Sequence, residues 1–241
     1  MQEENASSRR RPSLFAHDIL TTLTEPRSYA EILSRGHVRG EHFRIESKDS
    51  KVDRCLLIAP HGGGIEPGTS EIMRAVAELG GWAFYEFAGF LHKGNKENLH
   101  LTSTVFDEPT LMGLLPRAPF AVSFHGADKL GEPVVYAGGK WKVGREVMVR
   151  SINAGMKDHG IRASDATTGD AAANFRGLDD SNIANRCKQA EGVQLEFSRE
   201  ARNLLFPPDS SREARGRAGK PLRSLASSIH SAIEELRGHC R

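Results

Sequence analysis

Short apolar runs alternate with helically spaced apolar positions along most of the chain. The apolar runs predict strands at residues 41–45, 52–59, 82–87, 120–126, 133–137 and 193–197. Apolar positions three and four residues apart predict helices at residues 14–23, 29–33, 70–79, 107–115, 141–156, 181–189, 199–206 and 221–236. Residues 98–104 alternate apolar and polar positions and contain β-forming residues. Because strands separated by helices pair in parallel, this order predicts an α/β fold with helices on the faces of a sheet.

The composition is that of a globular protein. The chain has 241 residues, of which 27% are charged and 38% hydrophobic, and its formal net charge of +2 does not indicate a nucleic-acid partner. Three scattered cysteines without a CxxC pair are typical of a reducing compartment. No membrane span or signal peptide is recognisable, so we expect a cytoplasmic monomer with no membrane partner. We expect a disordered arm over residues 1–13 and one domain over 14–241, closed by an amphipathic helix at 221–236.

The chemistry begins in the stretch 56–71, which combines an apolar strand, a glycine-rich loop and a helix start. His61 and Glu66 lie in that loop, and only an irregular backbone lets two side chains at this spacing converge. A histidine and a carboxylate at the carboxyl end of a strand indicate a catalytic zinc site. A phosphate-binding loop is disfavoured because the Lys-Ser/Thr ending is missing and Glu66 repels anions. A purely structural loop stays open on these two residues alone.

Two further strand ends carry polar side chains. The strand at 120–126 ends in His125-Gly126 and so places His125 at the same sheet edge as His61, as a third zinc ligand. Its alternative is a hydrogen-bonded histidine at a strand end. In the strand at 193–197, Gln194 and Glu196 share a face opposite the apolar residues. The Glu196 carboxylate is expected either in an active site or on the solvent-facing side of an edge strand.

Six segments together resemble the poly-γ-glutamate hydrolase family, also labelled phage-related replication proteins. They are HGGGIEPGTSEI, FYEFAG, NLHLTSTVFDEP, FHG, NIANR and GVQLEFSREAR, and the likeness spans about residues 29–206. The resemblance implies a carboxypeptidase-A-like, three-layer α/β/α fold with a mostly parallel or mixed central sheet and one zinc ion per chain. It also implies that His61, Glu66 and His125 bind the zinc and that Glu196 is the general base.

The implied reaction is hydrolysis of γ-glutamyl amide bonds, with poly-γ-glutamate as substrate. Zinc activates a water and polarises the scissile carbonyl, while Glu196 moves the proton to the leaving amine. For substrate contacts we name the following residues: Asn98, His100, Arg176, Asn185 and Arg186. In the wider carboxypeptidase group a carboxylate-binding Asn-Arg pair precedes the third ligand, whereas Asn185-Arg186 follows it here, so the role of Arg186 is a local inference.

Two other functions remain open on the sequence. A zinc peptidase or deacylase of the same fold would act on another amide or an acylated amino acid. A non-enzymatic replication factor would use arginines at positions 9–11 and 212–217 to contact nucleic acid, and it would need no zinc. A polyanionic substrate requires local cations, and we expect them near the strand ends, at Lys129, Arg176, Arg186 and Arg199.

Overall fold

The computed structural model describes residues 25–169, 173–206, 215 and 219–240. The predicted arm over 1–13, the helix at 14–23 and the arginines at 9–11 lie outside these residues. The strands are β1 Phe43–Lys48, β2 Leu56–Gly63, β3 Ala83–Gly89, β4 Ala121–Ala127, β5 Val134–Gly138, β6 Arg162–Asp165 and β7 Val193–Ser198. The helices of the described residues are α1 Tyr29–Ser34, α2 Thr69–Gly80, α3 Asn95–Leu99, α4 Pro109–Leu114, α5 Lys142–Met156, α6 Arg199–Leu205 and α7 Lys220–Arg237.

The strands form one mixed sheet in the order β1-β3-β2-β4-β7-β5-β6. The four central strands β3, β2, β4 and β7 run parallel to one another, and β5 and β6 are also parallel to each other. The β1–β3 and β5–β7 pairs are antiparallel. The carboxyl ends of β2, β4 and β7 therefore meet at one edge, where ligands bind in open α/β sheets.

Successive side chains of β3 point to opposite faces of the sheet, and each face is covered by one helical layer. Phe84 faces α2, where the Arg74 guanidinium lies 5.1 Å from its ring centroid. Tyr85 points to the opposite face and meets Phe106 edge-on at 6.1 Å. Helix α7 packs on α2 and α5, which completes the first layer. On the second face α1 contributes Tyr29, whose ring contacts Phe43 of β1. The expected three-layer α/β/α architecture with a mixed sheet is thus confirmed.

The helices follow the apolar spacing closely. Helix α2 covers the predicted 70–79 and ends at the C-cap Gly81, whose left-handed conformation (φ 61°) is typical of a residue that ends a helix. Its N-cap is Gly68, and Thr69 and Ser70 lie in the first turn. Leu79, near the end of the helix, is 52% exposed. None of the helices in the described part of the chain is long and apolar enough to cross a membrane.

Three sequence predictions need correction, and one strand was not predicted. Strand β2 starts at Leu56 and not at residue 52, and it runs on through His61 into the glycines. Residues 98–104 are not a strand: α3 covers their start, because the Asn95 side chain caps the turn by bonding both backbone groups of Leu91. The helix expected at 181–189 shrinks to one turn at Ile183–Asn185. The short edge strand β6 was not predicted, since its sequence RASD lacks apolar alternation.

Candidate metal centre

The end of β2 bends so that the His61 and Glu66 side chains reach one point. The register of β2 against β3 shifts between Ala59 and Gly62, which is a local bulge. The chain then turns at Gly63 (φ 65°), and the Glu66 amide donates back to the His61 carbonyl at 2.9 Å. His61 therefore belongs to an irregular strand end, and the expected convergence with Glu66 arises from the bulge and the turn together.

Three side chains predicted to bind zinc converge at this point. His61 Nδ1 lies 3.2 Å from His125 Nδ1 and 3.2 Å from Glu66 Oε1. His125 Nδ1 lies 3.9 Å from Glu66 Oε2. All three residues are buried. For ligand atoms at zinc distances, the edge of a coordination tetrahedron measures about 3.3 Å. The two separations of 3.2 Å match this edge, whereas the His125 separation of 3.9 Å is longer and goes to the other oxygen of Glu66.

The hydrogen bonds around His61 define its tautomer. Its Nε2 lies 2.9 Å from the Leu101 carbonyl, which only accepts, so Nε2 carries the proton and Nδ1 of the neutral ring presents a lone pair. That lone pair points towards Nδ1 of His125, whose Nε2 is buried without a hydrogen-bond partner in the described residues. Two facing imidazole nitrogens and a carboxylate oxygen form a donor set that suits zinc. The residues present therefore fit the metal that the sequence predicts.

His100 is a third imidazole in the cluster. One ligand atom each from His61, Glu66 and His100 lies within 4.8 Å of the others, so this set is geometrically a second candidate. The His61 and His100 rings lie with their centroids 4.0 Å apart and their planes inclined by 32°. His100 Nδ1 lies 2.9 Å from Glu25 Oε2 and its Nε2 lies 3.5 Å from Glu66 Oε1, so this ring bridges two carboxylates. The His61 and His125 rings are inclined by 64°, which lets their lone pairs meet.

The charges of the cluster are unbalanced. Burial raises the pKa of Glu66, but the surrounding histidines, His61 first, lower it more, and the net pKa is well below its usual range. The Gly126 amide also donates to Glu66 Oε2 at 2.8 Å. Burial lowers the pKa of His125 to about 3, so this ring is neutral at pH 7. An ionised carboxylate beside a neutral imidazole is the protonation state that metal binding requires.

Glu196 lies beside the cluster on β7, paired in register with His125 of β4. Its Oε1 accepts a hydrogen bond from Gln194 Nε2 at 2.8 Å, and Oε2 has no partner in the described residues. Burial first, and then the Glu66 carboxylate, raise the pKa of Glu196 well above its usual range. A carboxyl group with a raised pKa next to a candidate metal centre is suited to proton transfer near neutral pH.

These residues line a cavity of about 760 Å³ at the carboxyl edge of the sheet. The wall contains hydroxyl groups at Thr102, Ser103 and Thr104, and two lysines, Lys96 and Lys129. Lys129 has a left-handed backbone (φ 65°), which is uncommon for a residue other than glycine. Both lysines are exposed. The cavity thus offers a metal-binding floor and a rim with cations.

Of the five residues predicted to contact substrate, only His100 lines the cavity. The others are engaged elsewhere. Asn98 Nδ2 donates to the Gly94 carbonyl. Arg186 donates to the Phe106 carbonyl and to Met112 Sδ. The Asn185 amide bonds the carbonyls of Gly177 and Asp179, and Arg176 donates to the Gly169 carbonyl.

Asn185 therefore shapes the loop beside the cavity, and the proposed substrate roles of Asn98, Asn185 and Arg186 find no support in the geometry. Arg199, expected among the local cations, pairs with Asp128. Of the four cations expected near the strand ends, Lys129 lines the cavity. Lys96 also lines it but was not predicted from the sequence. Lys96 stands at the start of α3, which the sequence pattern did not predict. Asn182, which also lines the cavity, was missed because no motif marked it.

The fold and the site define a mixed α/β protein with a candidate metal centre of histidines and a carboxylate at the carboxyl edge of its sheet. The family model described as Poly-gamma-glutamate hydrolase matches residues 27–225. The chain belongs to the poly-gamma-glutamate hydrolase family, as the sequence motifs indicated.

Curated relatives come from Bacillus subtilis strain 168. The chain is 35% identical to the SPbeta prophage-derived UPF0714 protein YoqZ over 153 residues, which are 64% of this chain and 52% of YoqZ. It is 30% identical to the UPF0714 protein YmaC over 164 residues, which are 68% of this chain and 65% of YmaC. The chain thus spans between half and two thirds of the length of these relatives.

Solved structures share the fold over nearly their whole length. A structure titled bacteriophage poly-gamma-glutamate hydrolase superposes with a TM-score of 0.79 at 32% identity, covering 90% of this chain and 99% of that one. A zinc-free, apo form of YndL gives a TM-score of 0.73 at 26% identity, covering 87% and 96%. The architecture described above is therefore that of solved members with recognisable sequence similarity.

Proposed function

We propose that this protein is a zinc-dependent amidohydrolase that cleaves γ-glutamyl amide bonds, with poly-γ-glutamate as its substrate. The observation that carries the proposal is the convergence of His61 Nδ1, His125 Nδ1 and a Glu66 oxygen beside Glu196, inside a cavity, in a chain of this family. Three protein ligands with an open fourth position are typical of a catalytic zinc site. We assign the zinc to His61, Glu66 and His125, because the His100 ring bridges two carboxylates, with Nδ1 2.9 Å from Glu25 Oε2 and Nε2 3.5 Å from Glu66 Oε1.

Zinc, when bound, would supply a water of lowered pKa and an electrophile for the scissile carbonyl. Glu196 accepts the proton of the attacking water at Oε2, the oxygen left free by Gln194, and delivers it to the nitrogen of the leaving amine. Burial of the carboxyl group keeps bulk water away from the proton during this transfer. The same group serves as base and then as acid, which requires a pKa near the working pH.

The positive charges in the cavity wall support a polyanionic substrate. A γ-linked glutamate chain carries one free carboxylate per residue, so its binding site needs cations. Lys96 and Lys129 stand in the cavity wall and have room to meet carboxylates entering from solvent. Burial lowers the pKa of His100, but hydrogen bonding to Glu66 and the Glu25 carboxylate raise it more, and a raised pKa favours the cationic form that attracts an anionic ligand. His100 is accordingly kept as a substrate contact, and Lys96 and Lys129 replace Arg186.

The decisive experiment joins metal analysis of the purified protein to a product assay on poly-γ-glutamate. For the wild-type protein we expect about one zinc per chain and shortening of poly-γ-glutamate. Both should be lost in His61→Ala. The matched control is His92→Ala, which removes an exposed histidine outside the cavity and should retain both metal and activity. Full zinc occupancy in H61A would remove His61 from the site. A metal-free wild-type protein without activity would favour a non-enzymatic role.

A substrate series separates the polymer from smaller amides. Poly-γ-glutamate, a short γ-glutamyl peptide and an uncharged amide of equal length are compared at fixed zinc content. We expect kcat/KM to fall in that order, because the uncharged amide loses the carboxylates that Lys96 and Lys129 would meet. Equal cleavage of all three substrates would instead support the hypothesis of a peptidase or deacylase.

A further inference from the structure

Two hydrogen bonds link the side chains of Asn182, Gln194 and Glu196 in a row, a hydrogen-bond chain that ends at Glu196. Asn182 Nδ2 donates to Gln194 Oε1 at 2.8 Å, and Gln194 Nε2 donates to Glu196 Oε1 at 2.8 Å. All three residues line the cavity and are at most 8% exposed. Asn182 belongs to the turn at Ile183–Asn185, whereas Gln194 and Glu196 lie on one face of β7.

The polarity of this chain is determined by the backbone. Asn182 Oδ1 accepts from the Ala184 N–H at 3.0 Å, and a backbone N–H can only donate. The opposite end of that amide, Nδ2, must therefore face Gln194, so Gln194 has to present Oε1 to Asn182 and Nε2 to Glu196. Neither amide can turn without leaving a buried group unsatisfied, which costs more than the bond itself contributes.

We propose that Asn182 and Gln194 are positioning residues that hold one oxygen of Glu196 and leave the other as its single reactive oxygen. The donor at Oε1 fixes the plane of the carboxylate, because both ends of Gln194 are tied. Oε2, which has no partner in the described residues, then faces the cavity in one orientation. Two amide groups thereby set the direction of proton transfer through their hydrogen bonds to Glu196 and to each other. This inference rests on the proposed function, since it assumes that Glu196 is the base.

The test compares two substitutions at Asn182 that differ in polarity. In Asn182→Asp both side-chain oxygens only accept, so Gln194 turns its Nε2 towards Asp and brings Oε1 against Glu196. In Asn182→Ala, Gln194 loses a partner but keeps its donor on Glu196. We expect kcat to fall roughly 10–100-fold in N182D, the equivalent of one hydrogen bond to a charged group. N182A should lose less, with KM and zinc content unchanged in both variants.

A role in shape alone predicts the reverse order, because aspartate is nearly the same size as asparagine and alanine leaves a gap. Asn174→Asp adds the same charge to the cavity wall outside the hydrogen-bond chain and should reduce kcat less than N182D. Gln194→Met retains the length of the side chain without its donor and should match N182D. If N182D does not fold, the kcat of Q194M decides alone.

Several outcomes overturn the inference. These are an N182D variant as active as N182A or more so, a change confined to KM, or a Q194M kcat within about threefold of wild type, which is well short of one lost hydrogen bond to a charge. A separate Glu196→Gln variant keeps the two proposals apart. If E196Q loses turnover and Q194M does not, the hydrogen-bond chain fails and the proposed function stands. If E196Q keeps its turnover, the assignment of the base fails.

Discussion

Two buried carboxylates, Glu66 and Glu86, show how differently this protein uses the same group. Glu86 lies within β3 and is completely buried, and Glu66 lies in the turn after β2 with 7% exposure. Glu86 Oε2 is bonded by Arg74 of α2, with Arg44 at 3.5 Å and Glu46 opposite it in the sheet. Permanent cations therefore balance Glu86, as a structural buried ion requires.

Glu66 has no arginine or lysine within ion-pair distance in the described part of the chain. Its partners are three imidazoles, at 3.2, 3.5 and 3.9 Å, and the Gly126 amide. Imidazoles bind a metal only when they are neutral, and a neutral imidazole does not balance a carboxylate. The comparison teaches that the partner, more than burial, separates a structural carboxylate from a functional one. Arginines balance the charge of Glu86, whereas the proposed zinc ion would supply the cation of the Glu66 cluster.

The largest expected effect separates the two carboxylates directly. Glu66→Gln keeps the shape and the Gly126 bond but removes the anion from the metal site. We expect zinc affinity to fall by more than the roughly 10–100-fold typical of residues that only support a ligand. Activity should fall with it, while the metal-free fold stays as stable as wild type. Zinc titration and chemical denaturation measure both quantities, and undiminished zinc affinity in E66Q would place the anion outside the site.

Next in size is the loss of the base itself. Glu196→Gln should lower kcat by roughly 10²–10⁴-fold, the usual contribution of a general base, with zinc content and unfolding midpoint unchanged. Steady-state kinetics on the polymer at saturating zinc measure it. A variant within about threefold of wild type falls far below that range and would make Glu196 a structural residue.

Glu86→Gln probes the other half of the comparison. It leaves Arg74 with Glu46 as its anion, so we expect a loss of stability on the order of 2 kcal/mol, less than for a fully buried pair because Arg74 is 29% exposed. Zinc content and kcat should not change. Urea denaturation with metal analysis checks this, and loss of zinc in E86Q would show that the two clusters are coupled.

The cavity lysines should give a smaller effect. Lys96→Ala and Lys129→Ala are each expected to raise KM for poly-γ-glutamate several-fold, since a partly exposed ion pair contributes about 1 kcal/mol or less. The rise should shrink with salt, because the Debye length is only about 10 Å at 0.1 M. Lys142→Ala, outside the cavity, is the matched control. A KM that does not respond to salt would exclude a polyanionic substrate.

The smallest effect concerns Asp128 at the cavity rim. Burial raises the pKa of Asp128, but the hydrogen bond from Arg199 and the charge of Arg202 lower it more, so the folded-state pKa lies below the unfolded value. Its stabilisation is therefore fully present above about pH 4 and is lost as the pH falls through the folded pKa. Asp128→Asn should cost on the order of 1 kcal/mol at pH 7, and urea denaturation at falling pH should show this cost disappear below the folded pKa. Asp49→Asn, in an exposed pair with Arg117, should cost less.

The sequence identified the parts of the site that lie beside a strong local pattern. His61, His125 and Glu196 each lie at or near the end of a buried strand, and the glycines at 62–64 predicted the turn that carries Glu66. The contacts between them depend on the order of β2, β4 and β7 in the sheet, which local patterns do not encode. Lys96 and Asn182 reach the cavity from segments whose structure depends on side-chain bonds to the backbone, so the pattern of apolar residues gave no signal for them.

The position of β7 has a consequence for how the protein is made. Residues 193–198 are synthesised after the other strands but lie inside the sheet, between β4 and β5. In the folded sheet β7 pairs with both β4 and β5, so neither strand has this partner until residues 193–198 emerge, and unpaired strand edges attract other chains. The strand that closes this gap also delivers Glu196. A growing chain therefore gains its last core strand and its candidate base in one event, and a chain that stops short of residue 193 has neither.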